Sequence, residues 1–141
     1  MKKNSRFVEI YKKHQRSKWE DKAEDYYENP KKAQGLIKAA ERKSNKKDRG
    51  ALSDIWDKLQ LLFSLSRDWS KGNYRDISKS AIVFVLAGLI YFVSPIDIVP
   101  DFLAGFGILD DAAILGFIIK QINHELYKYK NWKETFKRSS V

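Results

Sequence analysis

The sequence predicts an all-α protein: a small helical domain in which a proline-broken helical hairpin, about residues 77–127, packs with preceding amphipathic helices. Three observations carry that reading. Apolar residues recur at three- and four-residue steps from Leu52 to Trp69, the period of a helix with one buried face. Two apolar runs, Ala81 to Val93 and Ala112 to Ile119, flank a segment that holds Pro95 and Pro100. Prolines inside such a segment bar one unbroken helix through it. No stretch reads as a strand hairpin, and no repeat of solenoid length is present.

Taken in order, Ser17 to Tyr27 carries charged pairs at helical spacing, with Glu20, Asp21 and Glu24 suited to an early turn. Asn29-Pro30 ends that segment and opens the next as N-cap and first helical residue. Leu36, Ile37, Ala39 and Ala40 give the second helix a thin apolar stripe, and Ser44 to Gly50 reads as a linker. Leu52 to Trp69 reads as one amphipathic helix, closed by Lys71-Gly72-Asn73-Tyr74. Asp76 is placed to cap a helix from Ile77 to Val93 that is apolar all round beyond Ser80. The last long helix begins at Leu109-Asp110-Asp111 and runs through Ile114, Leu115, Ile118, Ile119, Ile122, Leu126 and Tyr127, fraying from Thr135.

Charge is unevenly divided. Of a formal net charge of +9, residues 1–76 hold 20 Lys/Arg against 12 Asp/Glu, and residues 77–141 hold 7 against 6. A basic front half on an apolar back half points to a negatively charged partner, phospholipid or nucleic acid. Acids interleave with the lysines (Glu20, Asp21, Glu24, Asp25, Glu28, Glu41, Asp48), which disfavours nucleic acid even with Trp19, Tyr26 and Tyr27 at hand for stacking. The absence of cysteine excludes disulfides, a thiolate zinc site and a cysteine nucleophile. Met1-Lys2-Lys3-Asn4 leads into charged sequence, so no cleavable signal peptide is expected.

Between Lys79 and Lys120 no basic residue occurs, yet Asp97, Asp101, Asp110 and Asp111 lie in this least polar region. Buried carboxylates need a cap, a pair or a neutralising partner. Ser94-Pro95-Ile96-Asp97 combines an N-cap serine, a proline at the first helical position and an acid three residues after the cap. Pro100 breaks the chain again, and Gly105 and Gly107 precede Asp110 and Asp111, whose carboxylates suit a helix N-terminus. Capping is the plainer role for the four aspartates. The sharper one is a cluster of Asp97, Asp101, Asp110 and Asp111 holding an oxygen-preferring cation or relaying protons. His14 and His124 stand alone, and no nucleophile elbow or phosphate loop is present, so neither an enzyme nor a cofactor is expected.

The run from Tyr91-Phe92-Val93 through Ser94, Pro95, Asp97, Pro100, Asp101 and Phe102 to Gly107, Asp110 and Asp111 resembles the YkvA-like family of small bacterial proteins. Tyr74-Arg75-Asp76 and Tyr129-Lys130-Asn131-Trp132-Lys133 are similar to the family as well, so the resemblance spans roughly residues 50–135. It implies a helical, membrane-associated domain of unknown function whose hairpin arms are often read as transmembrane helices. It brings no reaction, substrate or cofactor. The chain then divides into a basic helical segment and linker at 1–49, the family domain at 50–135 and a tail at 136–141.

An arm of about 14 apolar residues reaches roughly 21 Å, short of a hydrocarbon core near 30 Å, so a full span is marginal. Arg75 and Lys79 flank one arm, and Lys120, Lys128 and Lys130 the other. A dip or an even number of crossings leaves both flanks on the cytoplasmic side. The expected function is therefore a non-enzymatic membrane-associated protein, its basic segments on the anionic cytoplasmic leaflet. The alternatives are a soluble cytoplasmic helical adaptor and a small cation-binding or transport-related protein using the aspartates.

Overall fold

Several helix boundaries follow from a local residue choice. The computed structural model describes residues 21–47, 49–93 and 111–139. Residues 21–28 form α1, and Asn29 stands outside helical geometry as N-cap of α2, Pro30–Lys46. Proline fills the first helical position, where a missing N–H leaves nothing unpaired. The Asn29 side chain turns back on α1, donating to the Asp25 carbonyl at 2.9 Å rather than closing the first turn of α2. The linker expected from Ser44 is helical as far as Lys46. Ser44 lies on the buried stripe with Ala33, Leu36, Ile37 and Ala40, and its hydroxyl is satisfied on the Glu41 carbonyl at 2.8 Å.

The helix expected from Leu52 to Trp69 is interrupted. A short α3, Arg49–Leu52, passes through a 3-10 turn, Ser53–Ile55, into α4, Trp56–Ser70. Ser53 Oγ donates to the Gly50 carbonyl at 3.1 Å, the local competition that makes serine a weak interior helix residue. The stripe is nevertheless placed as its period requires, with Leu52, Leu59, Leu62, Phe63, Leu65 and Trp69 buried. Gly72 ends α4 at φ 80°, a conformation open to glycine at little cost. Tyr27, a candidate for base stacking, stacks instead on Trp69 at 5.6 Å.

α5, Lys79–Val93, starts later than Ile77, and Ser78 takes the capping role expected of Asp76, accepting from the Ala81 N–H at 3.2 Å. Asp76 is drawn off to Lys128, 3.4 Å away. The last helix is two, α6, Asp111–Gln121, and α7, Asn123–Ser139, meeting at Ile122. Hydrogen bonds from Ile122 to Ile118 (3.0 Å) and from Leu126 to Ile122 (2.9 Å) carry the backbone across the step. Tyr127, expected on the inner stripe, is 63% exposed, and Leu126 and Tyr129 hold the inner positions. α7 continues in helical geometry past Thr135 to Ser139, and no glycine or proline stands there to stop the helix.

The fold is all-α, with no strand among the described residues. α2 packs on α4 and α5, and α6 packs on the same two, so the four make a ring in the order α2, α5, α6, α4. In that ring α2 and α6 hold opposite corners. Gln34 reaches the Ser70 carbonyl and Arg67 the Glu41 carboxylate, making α2 and α4 antiparallel. α7 runs parallel to α4, with Lys58 on Asn123 and Ser64 on Tyr129. Ser80 and Ala81 lie beside Gln121 and Ile122 while Gly88 meets Ile118, so α5 and α6 fold back on each other as a hairpin.

Over their described residues the hairpin arms fall short of the transmembrane length the family resemblance implies. α5, the most apolar helix, has 15 residues, about 22 Å against a hydrocarbon core near 30 Å. Among the described residues no helix is long and apolar enough to cross a membrane. Its inward residues, Ile82, Val85, Leu86, Leu89 and Phe92, are buried in the protein's own core.

Candidate functional site

Of the residues singled out in the sequence, Ser94, Pro95, Asp97, Pro100, Asp101, Gly107 and Asp110 lie outside the described residues. Asp111 is the first residue of α6, and its side chain is not among those described. The structure therefore bears on what surrounds that segment. At its entry Lys43 of α2 donates to the Phe92 carbonyl at 2.6 Å, its ammonium 5.0 Å above the Phe92 ring. A cation near the C-terminal end of the described helix also suits the negative end of its dipole. Among the described residues no three His, Asp or Glu side chains gather to hold a metal.

The outward edge of α6 and α7 is the described surface with most contact chemistry. Ala113, Phe117, Lys120, His124 and Tyr127 recur on one side, all exposed. Phe117 is 45% exposed and its ring lies 6.0 Å from that of Phe84, which with Val83 and Ala87 extends the uncharged surface onto α5. Lys79 and Lys120 bound that surface at the open end of the hairpin, both exposed. An open depression there is lined by Ser80, Phe84, Gln121, His124 and Glu125. Glu125 Oε2 is enclosed without a hydrogen bond, the Lys128 ammonium 3.8 Å away.

A second cluster, which sequence reading missed, joins α4 to α7. The Tyr129 hydroxyl donates to Asp68 Oδ2 and stands 2.6 Å from Ser64 Oγ; Lys133 donates to Ser64 Oγ at 2.6 Å. Lys133 also lies 3.7 Å from Asp68. Burial, first, and the bond to Asp68 push the Tyr129 phenol upward, so it acts here as a neutral donor. The legible signal was a pair of four-residue spacings, Ser64–Asp68 and Tyr129–Lys133, each putting two polar groups on one helix face. With the phenol neutral and the ammonium bonded to serine, the cluster clasps two helices.

Beside it Tyr74 packs edge-on to Tyr129 at 5.0 Å and donates to the Asp76 carbonyl at 3.1 Å. Burial, then the charges of Asp76 and Glu125, push the Tyr74 phenol up to about 12. A raised folded-state pKa gives stability that is whole below the unfolded value near 10 and is lost as pH rises toward 12. Urea midpoints should therefore fall between pH 10 and 12, and Tyr74→Phe should flatten that fall. An equal slope in both proteins would deny the linkage.

Residues 81–117, the hairpin with its connecting segment, match the family described as "Protein of unknown function (DUF1232)". The chain is similar to the protein named "Uncharacterized membrane protein YkvA" from Bacillus subtilis (strain 168), 37% identical over 75 residues, 53% of this chain and 71% of that protein. No solved structure matches. With that identity over more than two thirds of the relative, joined to the hairpin match, the chain belongs to the YkvA-like, DUF1232 family.

Proposed function

We propose that this protein is a non-enzymatic, membrane-associated helical protein that meets the anionic cytoplasmic leaflet through the outward edge of α6 and α7. The observation that carries the reading is the pairing on one edge of exposed aromatics with lysine: Phe117 and Tyr127, 45% and 63% exposed, share it with Lys120, and Lys79 bounds the same surface. Aromatic rings favour the headgroup level of a bilayer, and neighbouring lysines answer anionic phosphates. The relative's printed name, a membrane protein, supports the same location.

Co-sedimentation with phosphatidylglycerol-containing vesicles tests it. The full chain should pellet with anionic vesicles and much less with neutral ones. Phe117→Ser with Tyr127→Ser should lower the partition at least about tenfold, the scale set by burying one aromatic ring. Both side chains are exposed, so the fold should survive, as circular dichroism would check. A doubly substituted protein that pellets like the parent would end this reading.

A further inference from the structure

We propose that the outer face of α2 is a docking surface for the phosphate backbone of a nucleic-acid duplex, bound without regard to base sequence. Lys31, Lys38, Arg42 and Lys46 are all exposed. At 3.6 residues per turn they fall within about 80° of arc, opposite the buried stripe of Ala33, Ile37, Ala40 and Ser44. Along the axis they stand about 10, 6 and 6 Å apart at a rise of 1.5 Å per residue. That is the scale of two or three steps of a strand carrying one phosphate per about 3.4 Å.

Three of the acids that interleave in sequence are engaged elsewhere in space. Glu41, the one acid of α2, turns aside to Arg67 at 2.7 Å. Asp25 pairs with Lys32, and Glu24 lies 3.8 Å from Lys79. Among the described residues no ion pair involves the four cations of the stripe. The sequence-based objection to a basic face therefore falls for α2.

Nucleic acid is favoured over lipid for this face by two observations. Its outward positions, Lys31, Gly35, Lys38, Arg42, Asn45 and Lys46, carry no apolar side chain to enter acyl chains. It also lies at the corner of the ring opposite α6, so a flat bilayer under α6 leaves α2 facing water. That second point rests on the lipid reading above; the cation stripe does not.

The test titrates the full chain against two fluorescent duplex DNAs of unrelated sequence, each roughly 20 base pairs, from about 50 to 200 mM KCl. Both duplexes should bind alike. Lys38→Gln with Arg42→Gln should make the slope of log affinity against log salt shallower by about 1.8, near 0.9 for each phosphate no longer neutralised. Its affinity at low salt should fall at least about tenfold. A charge-matched control, Lys58→Gln with Lys71→Gln, removes exposed cations off α2 and should keep nearly the parent affinity. The Phe117→Ser, Tyr127→Ser protein should keep its duplex affinity whatever it does on vesicles. Equal losses in stripe and control proteins, or an unchanged slope in the stripe protein, would overturn the proposal. So would a stripe protein that leaves vesicles but keeps its grip on DNA, which would give this face to lipid.

Discussion

Truncating Tyr129 to alanine should destabilise the protein by about 3–5 kcal/mol, the range for losing a large buried ring. Tyr129 has no exposed surface, and its ring meets Tyr74 at 5.0 Å and Trp132 at 5.8 Å. Tyr129→Phe separates the hydroxyl from the ring. A hydrogen bond to a charged group is worth about 1.5–3 kcal/mol when buried. Asp68 is 21% exposed and Lys133 39% exposed, so water can partly replace the lost donor. The expected cost of Tyr129→Phe is therefore nearer 1–2 kcal/mol. Urea unfolding at neutral pH measures both. If phenylalanine cost as much as alanine, the clasp rather than the ring would be holding α4 against α7.

Helix periodicity made much of this fold legible. The stripe from Leu52 to Trp69 and the inward set from Ile114 to Leu126 are buried nearly as their spacing requires. What stayed hidden was decided by competition between neighbours. Asp76 and Ser78 are both good caps; Ser78 takes the role, and Asp76 stands 3.4 Å from Lys128 of α7. Tyr127 is no such case: steps of three and four residues lead from Ile122 and Leu126 to Tyr129, while Tyr127 falls in step with Phe117, Lys120 and His124, so the period itself turns one inward and the other outward. The sorting of charge was hidden too. Glu41 lies one residue from Arg42 in the chain, yet points to α4 and leaves the basic face of α2 clear. The site chosen from sequence, Ser94 through Asp110, falls outside the described residues, so the surfaces that carry the functional argument are ones periodicity treats as ordinary solvated faces.

Gly88→Leu should be the other severe substitution, costing about 3 kcal/mol, at the upper end for forcing methylenes into a packed interior. The hairpin arms approach closely here. A Cβ on Gly88 would stand 2.2 Å from Ile118 Cδ1 and 2.7 Å from its Cγ1, and Ile118 is 1% exposed. Isoleucine in a helix is held near one χ1 rotamer, so the Cγ1 contact is not relieved by swinging the methyl alone. For Gly88→Ala the overlap is opposed by about 1 kcal/mol of better helix propensity, leaving a net loss of roughly 0–2 kcal/mol. Ile118→Val removes the nearer methyl and by itself should cost about 0.5–1.5 kcal/mol. Combined with Gly88→Ala it should cost less than the two single losses added, by about 1 kcal/mol, because the new Cβ fills the space the methyl vacated. A double-mutant cycle in urea measures that coupling directly. Strict additivity would mean that the arms do not touch at this point, and the hairpin packing derived for α5 and α6 would have to be redrawn.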